Sequence, residues 1–287
     1  TMKGIFVTNG FVRWDKFSTI YDMLQAALER NGCETERYTN IELTTLPIGA
    51  ELPKGDFVLF WDKDISLAKR LEKSGLRVFN SAKALEICDD KGLTAIALEN
   101  EGIPMPETIV LPKSFMPYSD LSFTDSLERT IGYPMVLKEC HGSFGKQVYL
   151  IRNREELTEK ILSITPRTMI CQKFIGSSFG RDVRIQVVGD KVVAAAYRQA
   201  REGDFIANVT SGGKMSAYTP SEEMKELAVS ACKKVGADFA GVDILFGENE
   251  RPLLCEINTN AHFKNLLDAT GIDTSEYIAR YIVESLK

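Results

Sequence analysis

The stretch GVDILFGENERPLLCEIN at residues 241–258 has two apolar runs on either side of the polar turn sequence ENER. This pattern predicts an antiparallel hairpin with strands over Phe239–Phe246 and Pro252–Asn258. A turn centred on ENER places Asp243 directly opposite Glu256. Like charges that face each other across a ladder destabilise a sheet, and apolar neighbours deprive both carboxylates of hydration. We therefore expect a cation between them.

A third oxygen ligand lies on the same face of this hairpin. Asn258 is two residues beyond Glu256, and alternate residues of a strand share a face. Carboxylate and amide oxygens, without histidine or thiolate, favour Mg2+ or Mn2+. So few protein ligands predict that bound phosphates complete the coordination shell. The alternative is an ordinary hairpin with one face in water.

A glycine-containing loop, ECHGSFGKQV at residues 139–148, connects two predicted strands. Gly142 and Gly145 allow the backbone to approach a phosphate and to point its N–H groups toward it. On its own the pattern is more typical of a simple hairpin turn, because neither a Walker A motif nor G-x-G-x-x-G is present. Lys138 ends the apolar run PMVL, where a buried ammonium requires an anionic partner. Lys91, at the start of a predicted helix, is a second candidate cation, although such a lysine is more often a surface residue.

A third element, GRDVRIQVVGDKVVAAAYR at residues 180–198, predicts a tight hairpin at Gly189-Asp190. Asp182, Arg184 and Gln186 alternate along the first strand and share one face, while apolar residues occupy the other. Arg198 ends the partner strand. An arginine there is compatible with a surface position, but several cations converging near a metal pair are what phosphoryl transfer requires.

Two patterns of secondary structure divide the chain. The first eighty or so residues alternate short apolar strands, beginning with Gly4–Thr8, with amphipathic helices, beginning with Phe17–Arg30, which predicts a small parallel α/β layer. From about Tyr133 the pattern changes to antiparallel hairpins. The sequence Thr219-Pro220-Ser221-Glu222 combines an N-cap candidate, proline at the first helical position and glutamate at the capping-box position. A helix is predicted to start there and to end at Gly236.

Composition narrows the class of protein. The chain has 287 residues, 44% hydrophobic and 26% charged, which is ordinary for a globular protein. Its net charge of -5 gives no general attraction for nucleic acid or anionic lipid. Its apolar runs are too short for a signal peptide or a membrane span, so we expect a cytoplasmic protein with no nucleic-acid or membrane partner. The six scattered cysteines are typical of buried, reduced side chains.

In chain order these elements resemble the ATP-grasp superfamily, and within it the RimK-like amino-acid ligases, which include ribosomal-protein glutamate ligases and the carrier-protein ligases of lysine biosynthesis. The resemblance covers essentially the whole chain and rests on the motifs DDKGLTAIALENEGIPMPET, YPMVLKECHGSFGKQV, QKFIGSSFGRDVRIQVVGDKVVAAAYR, NVTSGGK and GVDILF…LLCEIN. It implies a mixed α/β and α+β architecture in three parts. These are a small Rossmann-like N-terminal domain (1–88), an ATP-grasp central subdomain with the phosphate loop (89–170), and an α+β C-terminal subdomain with the metal and substrate sites (171–287).

The resemblance also implies roles for individual residues. The nucleotide would be bound by Lys91, Lys138, Gly142, Ser143, Gly145 and the hinge residues Gln172, Lys173, Phe174 and Ile175. The catalytic set would be Arg184, Arg198 and Asn208, of which Arg198 would steady the acyl phosphate. The metal ligands would be Asp243, Glu256 and Asn258, in agreement with the hairpin argument. The substrates would be bound by Ser211, Gly212, Gly213, Lys214, Asn260, Lys264 and Asn265.

Three features depart from the family pattern. Ile206 stands where relatives often have arginine, so a phosphate or substrate contact is either missing or supplied by Lys214. Ser177 and Ser178 stand where an acidic ribose contact is common, and Lys173 replaces the usual hinge glutamate. The tail TNAHFKN at residues 259–265 is closer to the FKN-type ending of the lysine-biosynthesis ligases than to the ribosomal-protein enzymes. These departures bear on the substrate and not on the metal ligands.

The expected activity is ATP-dependent ligation of a carboxylate to an amine through an acyl phosphate, with ATP and Mg2+ (or Mn2+) as cofactors. An amino acid would be added to a peptide, to a protein such as a carrier-protein tail, or to a small-molecule carboxylate. Two alternatives stay open: a D-alanine–D-alanine-type ligase of small substrates, against which the FKN-type tail argues, and a non-catalytic ATP-binding regulatory protein. Relatives commonly self-associate, so a homo-oligomer is also compatible with the resemblance.

Overall fold

The computed structural model describes residues 1–207 and 212–287. Its strands are β1 Met2–Thr8, β2 Cys33–Thr39, β3 Phe57–Phe60, β4 Arg77–Phe79, β5 Thr108–Val110, β6 Met135–Glu139, β7 Val148–Ile151, β8 Met169–Lys173, β9 Arg181–Val188, β10 Lys191–Gln199, β11 Lys214–Ala217, β12 Phe239–Phe246 and β13 Pro252–Asn258. Its helices are α1 Asp15–Arg30, α2 Asn40–Thr44, α3 Ile65–Lys73, α4 Ala82–Asp89, α5 Lys91–Leu98, α6 Thr124–Thr130, α7 Arg154–Ile164, α8 Glu222–Val235, α9 Lys264–Thr270 and α10 Thr274–Ser285.

The N-terminal layer is the predicted parallel sheet, in the order β2-β1-β3-β4. Strand β3 is apolar throughout and fully buried because helices cover both faces of such a sheet. Helix α1 contributes Ile20, Leu24 and Leu28 from one face. The chain leaves β1 for β2 on one side and returns on the other side as β3. The crevice at the carboxyl ends of β1 and β3 is therefore a topological switch point, where open α/β sheets bind ligands.

Two antiparallel sheets follow. The central sheet has the order β5-β8-β6-β7, and the C-terminal sheet has the order β11-β10-β9-β12-β13. Strand β8 spans residues 169–173 and belongs to the central sheet, so the boundary expected between residues 170 and 171 falls within this strand. Helix α8 packs its apolar face on the C-terminal sheet and forms one core with β9, β12 and β13.

The C-terminal part of the chain packs back on the N-terminal layer. Trp61, which follows β3, stacks on Phe239 of β12 with ring centroids 5.7 Å apart. The buried Asn80 side chain donates to the Phe239 carbonyl at 3.0 Å and accepts from the Asp238 and Phe239 backbone N–H groups. Helix α10 adds Ile282 to the same apolar core. These contacts hold the switch-point crevice against the C-terminal sheet.

The structure confirms several sequence predictions and corrects others. The hairpin β12–β13 has the predicted strands and pairs Asp243 with Glu256. Helix α8 begins later than predicted, because Ser221 and not Thr219 is the N-cap and its hydroxyl accepts from the Met224 N–H at 3.2 Å. Helices α2, α4, α6 and α9 and strand β11 were not predicted. The helices of residues 1–207 and 212–287 include none with the length and apolar character needed to cross a membrane.

Candidate active site

A cavity of about 720 Å³ opens between the three sheets. It is lined by residues from the switch-point crevice, from the central sheet and its glycine-containing loop, and from one face of the C-terminal sheet. Most of the predicted chemistry-bearing side chains of the C-terminal sheet line this cavity: Asp182, Arg184, Arg198, Asp243, Glu256 and Asn258. Gln186, predicted on the same face of β9, is buried and does not line it.

The paired carboxylates lie on the floor of the cavity. Asp243 and Glu256 are opposite each other on neighbouring strands, and Asn258 lies on the same face of β13. Asp243 is 6% exposed, whereas the Glu256 side chain is 35% exposed. A register shift follows the pair, between Asp243 and Ile244. Such bulges are common beside functional sites because they re-aim side chains.

Two arginines neutralise Asp243. Arg184 donates to both of its carboxylate oxygens, and Arg198 Nη2 lies 3.0 Å from Oδ2. Burial alone would raise the pKa of Asp243, but Arg184 and Arg198 outweigh burial and hold the pKa below its ordinary value. Arg198 also makes two 2.7 Å bonds with Asp182. Burial raises the pKa of Asp182, and Arg198 offsets that only in part. The two guanidinium groups are thus fixed in position before any ligand binds, as charge stabilisation requires.

The donor set fits magnesium. A carboxylate has about four acceptor sites, and the arginines use three of those on Asp243, which leaves one on Oδ1. Among the described residues Glu256 has one ion pair, with Lys91 Nζ at 3.8 Å. Asn258 Oδ1 accepts the Asn260 backbone N–H at 3.1 Å and retains a second lone pair. The described residues contain no cluster of three or more His, Cys, Asp or Glu side chains suited to a metal. Phosphate oxygens would therefore have to complete the shell.

Two lysines provide positive charge near the glycine-containing loop. Lys138 on β6 is 8% exposed and lines the cavity. Its Nζ lies 3.8 Å from Cys255 Sγ and makes no ion pair with a carboxylate in the described residues. A buried ammonium in this state favours a bound anion. Lys91 lies in a small crevice beside the main cavity, together with Gly142 and Glu256.

The glycine-containing loop forms one wall of the cavity. Ser143, Phe144 and Gly145 line it, and Gly145 has a φ of +68°, a conformation that favours glycine. A side chain at Gly142 would clash with the Gln147 side chain. Phe144 packs edge-on against Phe17 of α1 with ring centroids 6.4 Å apart. The loop therefore bridges the central sheet and the N-terminal layer.

The predicted adenine hinge lies at the end of β8. Gln172, Lys173, Phe174 and Ile175 all line the cavity. The Gln172 amide donates to Thr108 Oγ1 at 2.9 Å, and Phe174 packs edge-on against Phe179 at 6.2 Å between ring centroids. These contacts hold the Gln172 and Phe174 side chains at the cavity wall.

The departures from the family pattern have distinct structural outcomes. The Ser177 hydroxyl donates to the Phe246 carbonyl at 2.7 Å, and the Ser178 hydroxyl donates to the Arg181 carbonyl at 2.6 Å. Both hydroxyls therefore stabilise the local backbone. Ile206 lines the cavity, whereas Lys214 is exposed at the start of β11 and does not line it.

The remaining predicted residues divide into three groups. Asn208 and Ser211 lie outside the described residues. Asn260, Lys264 and Asn265 line the cavity. Gly212, Gly213 and Lys214 lead into the edge strand β11 and do not line it.

The N-terminal layer supplies a side of the cavity that the sequence analysis did not identify. The lining residues from this layer are Asn9, Val12, Lys16, Phe17, Tyr21, Trp61, Asp62 and Lys63. Asn9 directly follows β1, and Trp61 to Lys63 directly follow β3. Their positions after neighbouring parallel strands were the available sequence signal, because such strand ends form the ligand crevice.

Comparison with known proteins supports this architecture. D-alanine–D-alanine ligase from Bacillus anthracis superposes with a TM-score of 0.76 at 22% identity, covering 100% of this chain and 97% of that chain. The probable alpha-L-glutamate ligase of Legionella pneumophila is 34% identical over 224 residues, which cover 77% of this chain and 72% of the relative. N-acetylaspartylglutamate synthase A of Homo sapiens is 31% identical over 226 residues, covering 78% of this chain but only 57% of the human protein.

The three sheets around a charged cavity belong to the ATP-grasp class of folds. A family model described as a RimK-like ATP-grasp domain matches residues 88–282. The chain belongs to this family of ATP-dependent carboxylate–amine ligases. The predicted fold class and family are both confirmed.

Proposed function

We propose that the protein joins a carboxylate substrate to the amine of an amino acid, using ATP and magnesium and passing through an acyl phosphate. The supporting observation is that Asp243, Glu256 and Asn258 share one cavity with the fixed guanidinium groups of Arg184 and Arg198. Hard oxygen ligands beside fixed cations are the components that phosphoryl transfer from a nucleotide needs.

The reaction has two steps. A carboxylate oxygen bonds to the γ-phosphorus of ATP, and the bond from that phosphorus to the bridging oxygen of ADP breaks. The ammonium group of the amino acid loses a proton to solvent, and the resulting amine nitrogen bonds to the carbonyl carbon of the acyl phosphate. Phosphate leaves with the bonding electrons, and the nitrogen releases a second proton as the amide forms. No protein nucleophile is needed. Positioning of the reactants contributes up to about 7–11 kcal/mol in favourable cases.

Each group of residues has a separate role in this proposal. Arg198, held by Asp182, and Arg184, held by Asp243, stabilise charge on the transferred phosphoryl group. Lys138 and the 142–145 loop bind the phosphates of the nucleotide. A magnesium ion held by Asp243, Glu256 and Asn258 would supply Lewis-acid stabilisation of the phosphate charge. Mn2+ is a second candidate because the same oxygen ligands suit it.

The amine that we propose is glutamate. One relative is named as a probable alpha-L-glutamate ligase and another as an N-acetylaspartylglutamate synthase. The carboxylate partner is a small molecule, an acidic peptide or the tail of a carrier protein.

Release of ADP and phosphate from Mg-ATP tests the proposal. The panel pairs L-glutamate and other amino acids with N-acetyl-L-aspartate, acidic peptides and a carrier-protein tail, and mass spectrometry identifies the product. A product heavier than the carboxylate by one amino-acid residue, formed with an equal amount of ADP, is the expected result. ATP binding without stimulated ADP release anywhere in the panel would instead support the non-catalytic ATP-binding protein.

A further inference from the structure

Asp62 lies in the crevice of the N-terminal layer, two residues after the end of β3. This crevice is the switch point between β1 and β3, where parallel sheets bind ligands. Asp62 also lines the cavity that contains the carboxylates and arginines of the C-terminal sheet. It therefore faces the proposed reaction site from the opposite side.

Among the carboxylates of the cavity, Asp62 differs in its pairing. Four carboxylate side chains line the cavity: Asp62, Asp182, Asp243 and Glu256. The other three form ion pairs with arginine or lysine. Asp62 forms none with any residue in 1–207 or 212–287, and the adjacent Lys63 is already paired with Asp89 at 3.0 Å.

The Asp62 side chain is buried, and one of its carboxylate oxygens has no hydrogen bond among the described residues. The residue is 6% exposed, and the Asn9 amide donates to Oδ1 at 2.9 Å. Oδ2 has no hydrogen bond from the part of the chain that is described. Burial raises the pKa of Asp62, the nearby Asp64 charge raises it further, and the Asn9 amide opposes the shift only in part. A cation placed here would relieve the cost of the buried charge.

A second unsatisfied acceptor lines the same cavity. Asn260 Oδ1 is buried and has no hydrogen bond from the described residues. Its segment packs against the end of β3, because Phe263 lies edge-on to Trp61 with ring centroids 5.9 Å apart. Both unsatisfied atoms are acceptors, so the complementary ligand is a donor. A primary ammonium group has three N–H donors and a positive charge.

We infer that Asp62, positioned by Asn9, binds the ammonium group of the amino-acid substrate, with Asn260 as an additional acceptor. This inference rests on the proposed ligase function and deepens it by naming the residue that recognises the amine. It also explains why the N-terminal layer contributes to the cavity. The C-terminal sheet stabilises the transferred phosphoryl group, and the N-terminal crevice binds the amine.

The variant Asp62→Asn tests the inference, because it keeps the shape of the side chain and removes its charge. The matched control is Asp64→Asn, two residues away and absent from the cavity lining. Asp64 caps α3 by accepting the Leu67 N–H at 3.1 Å, and asparagine caps a helix as well as aspartate. Full-length proteins are assayed for amide formation with L-glutamate and for hydroxamate formation when hydroxylamine replaces the amino acid. Hydroxamate reports the acyl phosphate without requiring the amine site.

In Asp62→Asn we expect the KM for L-glutamate to rise about 30-fold, as for loss of a hydrogen bond to a charged group. The KM for ATP and hydroxamate formation should match wild type, which also shows that the variant is folded. Asp64→Asn should behave as wild type in every assay. An unchanged KM for L-glutamate in Asp62→Asn would overturn the inference.

The assays separate failure of the inference from failure of the proposed function. If the wild-type protein forms hydroxamate but uses no amino acid of the panel, the ammonium site is wrong and acyl-phosphate formation stands. If the wild-type protein forms no hydroxamate with any carboxylate, the proposed function fails and the inference fails with it.

Discussion

The C-terminal sheet and the N-terminal crevice differ in how their buried carboxylates are paired. On the sheet, Asp182 and Asp243 are ion-paired with Arg184 and Arg198, so the charged groups are positioned without a ligand. In the crevice, Asp62 keeps a buried oxygen without a partner among the described residues. The difference indicates that the phosphoryl-transfer half of the site is assembled in advance, whereas the amine half is completed by its substrate.

The largest expected effect is on the metal ligands of the assembled half. Glu256→Ala should lower ligase turnover by about a thousandfold or more, because charge stabilisation by the metal is lost. The fold should persist, since this side chain is 35% exposed. ADP release measures the turnover, and circular dichroism measures whether the fold is retained. Glu250→Ala, in the exposed turn of the same hairpin, is the control. Turnover by Glu256→Ala at the wild-type rate would contradict the assignment of this residue.

The second prediction concerns the stability of the paired charges. Arg198→Ala leaves Asp182 and Asp243 with less compensation in a buried position, which should cost about 3–5 kcal/mol of unfolding free energy. Lys234→Ala removes an exposed ion pair with Glu101 and should cost at most about 1 kcal/mol. Urea unfolding of both variants provides the measurement. Equal losses for the two variants would show that the buried network does not stabilise the sheet.

Replacing Lys138 should affect the stability of the unliganded protein in the opposite direction from replacing Arg198. Its buried ammonium has no carboxylate partner in the described residues, so Lys138→Met should leave the unliganded protein as stable as wild type or more stable. The affinity for ATP should fall by about tenfold or more, as a charged contact to phosphate is lost. Thermal unfolding with and without Mg-ATP measures both effects, with the exposed Lys191→Met as control. If Lys138→Met is markedly less stable than wild type in the absence of Mg-ATP, the proposed anion-binding role of Lys138 is contradicted.

The smallest effect is a pH dependence of stability at the contact between the two halves. His262 Nε2 lies 3.2 Å from the Lys16 carbonyl oxygen. Burial lowers the pKa of His262 below its ordinary value of 6.5, Lys16 and Arg184 nearby lower it further, and the Lys16 carbonyl and Asp268 oppose the shift. The unfolded chain therefore binds a proton at His262 more readily than the folded protein does.

The stability contribution of His262 should be fully present above pH 6.5 and should decrease as the pH falls through the folded pKa. The difference in unfolding free energy between wild type and His262→Gln, measured from about pH 5 to pH 8, tests this. If this difference does not change with pH, His262 is protonated as readily in the folded protein as in the unfolded chain, and the prediction is wrong.

The sequence was sufficient for local features with a clear pattern. The register of β12 and β13 follows from two apolar runs and a polar turn between them, so the opposition of Asp243 and Glu256 could be predicted. Helix α4 could have been found from Ser81, whose hydroxyl caps it, but its eight residues are short for a periodicity argument. Helix α9 begins at Lys264 without a side-chain cap, so the sequence has no start signal there.

The amine side of the cavity could not be predicted from local patterns. Its position depends on packing between distant segments, with Trp61 against Phe239 and Phe263. That Asp62 has no ion pair among the described residues is equally a tertiary property, because the neighbouring Lys63 is paired with Asp89. The sequence shows that Asp62 follows a parallel strand. The folded structure is needed to show that Oδ2 of Asp62 has no hydrogen bond among the described residues.

The most direct test of the ligase assignment is oxygen-18 transfer. The carboxylate that most stimulates ADP release is labelled in both oxygens and incubated with the protein, Mg-ATP and the amino acid. We expect one labelled oxygen to appear in the released phosphate, because the carboxylate oxygen bonds to the γ-phosphorus and leaves with it. Phosphate without the label would mean that water attacks ATP, and acyl-phosphate ligation by this protein would be contradicted.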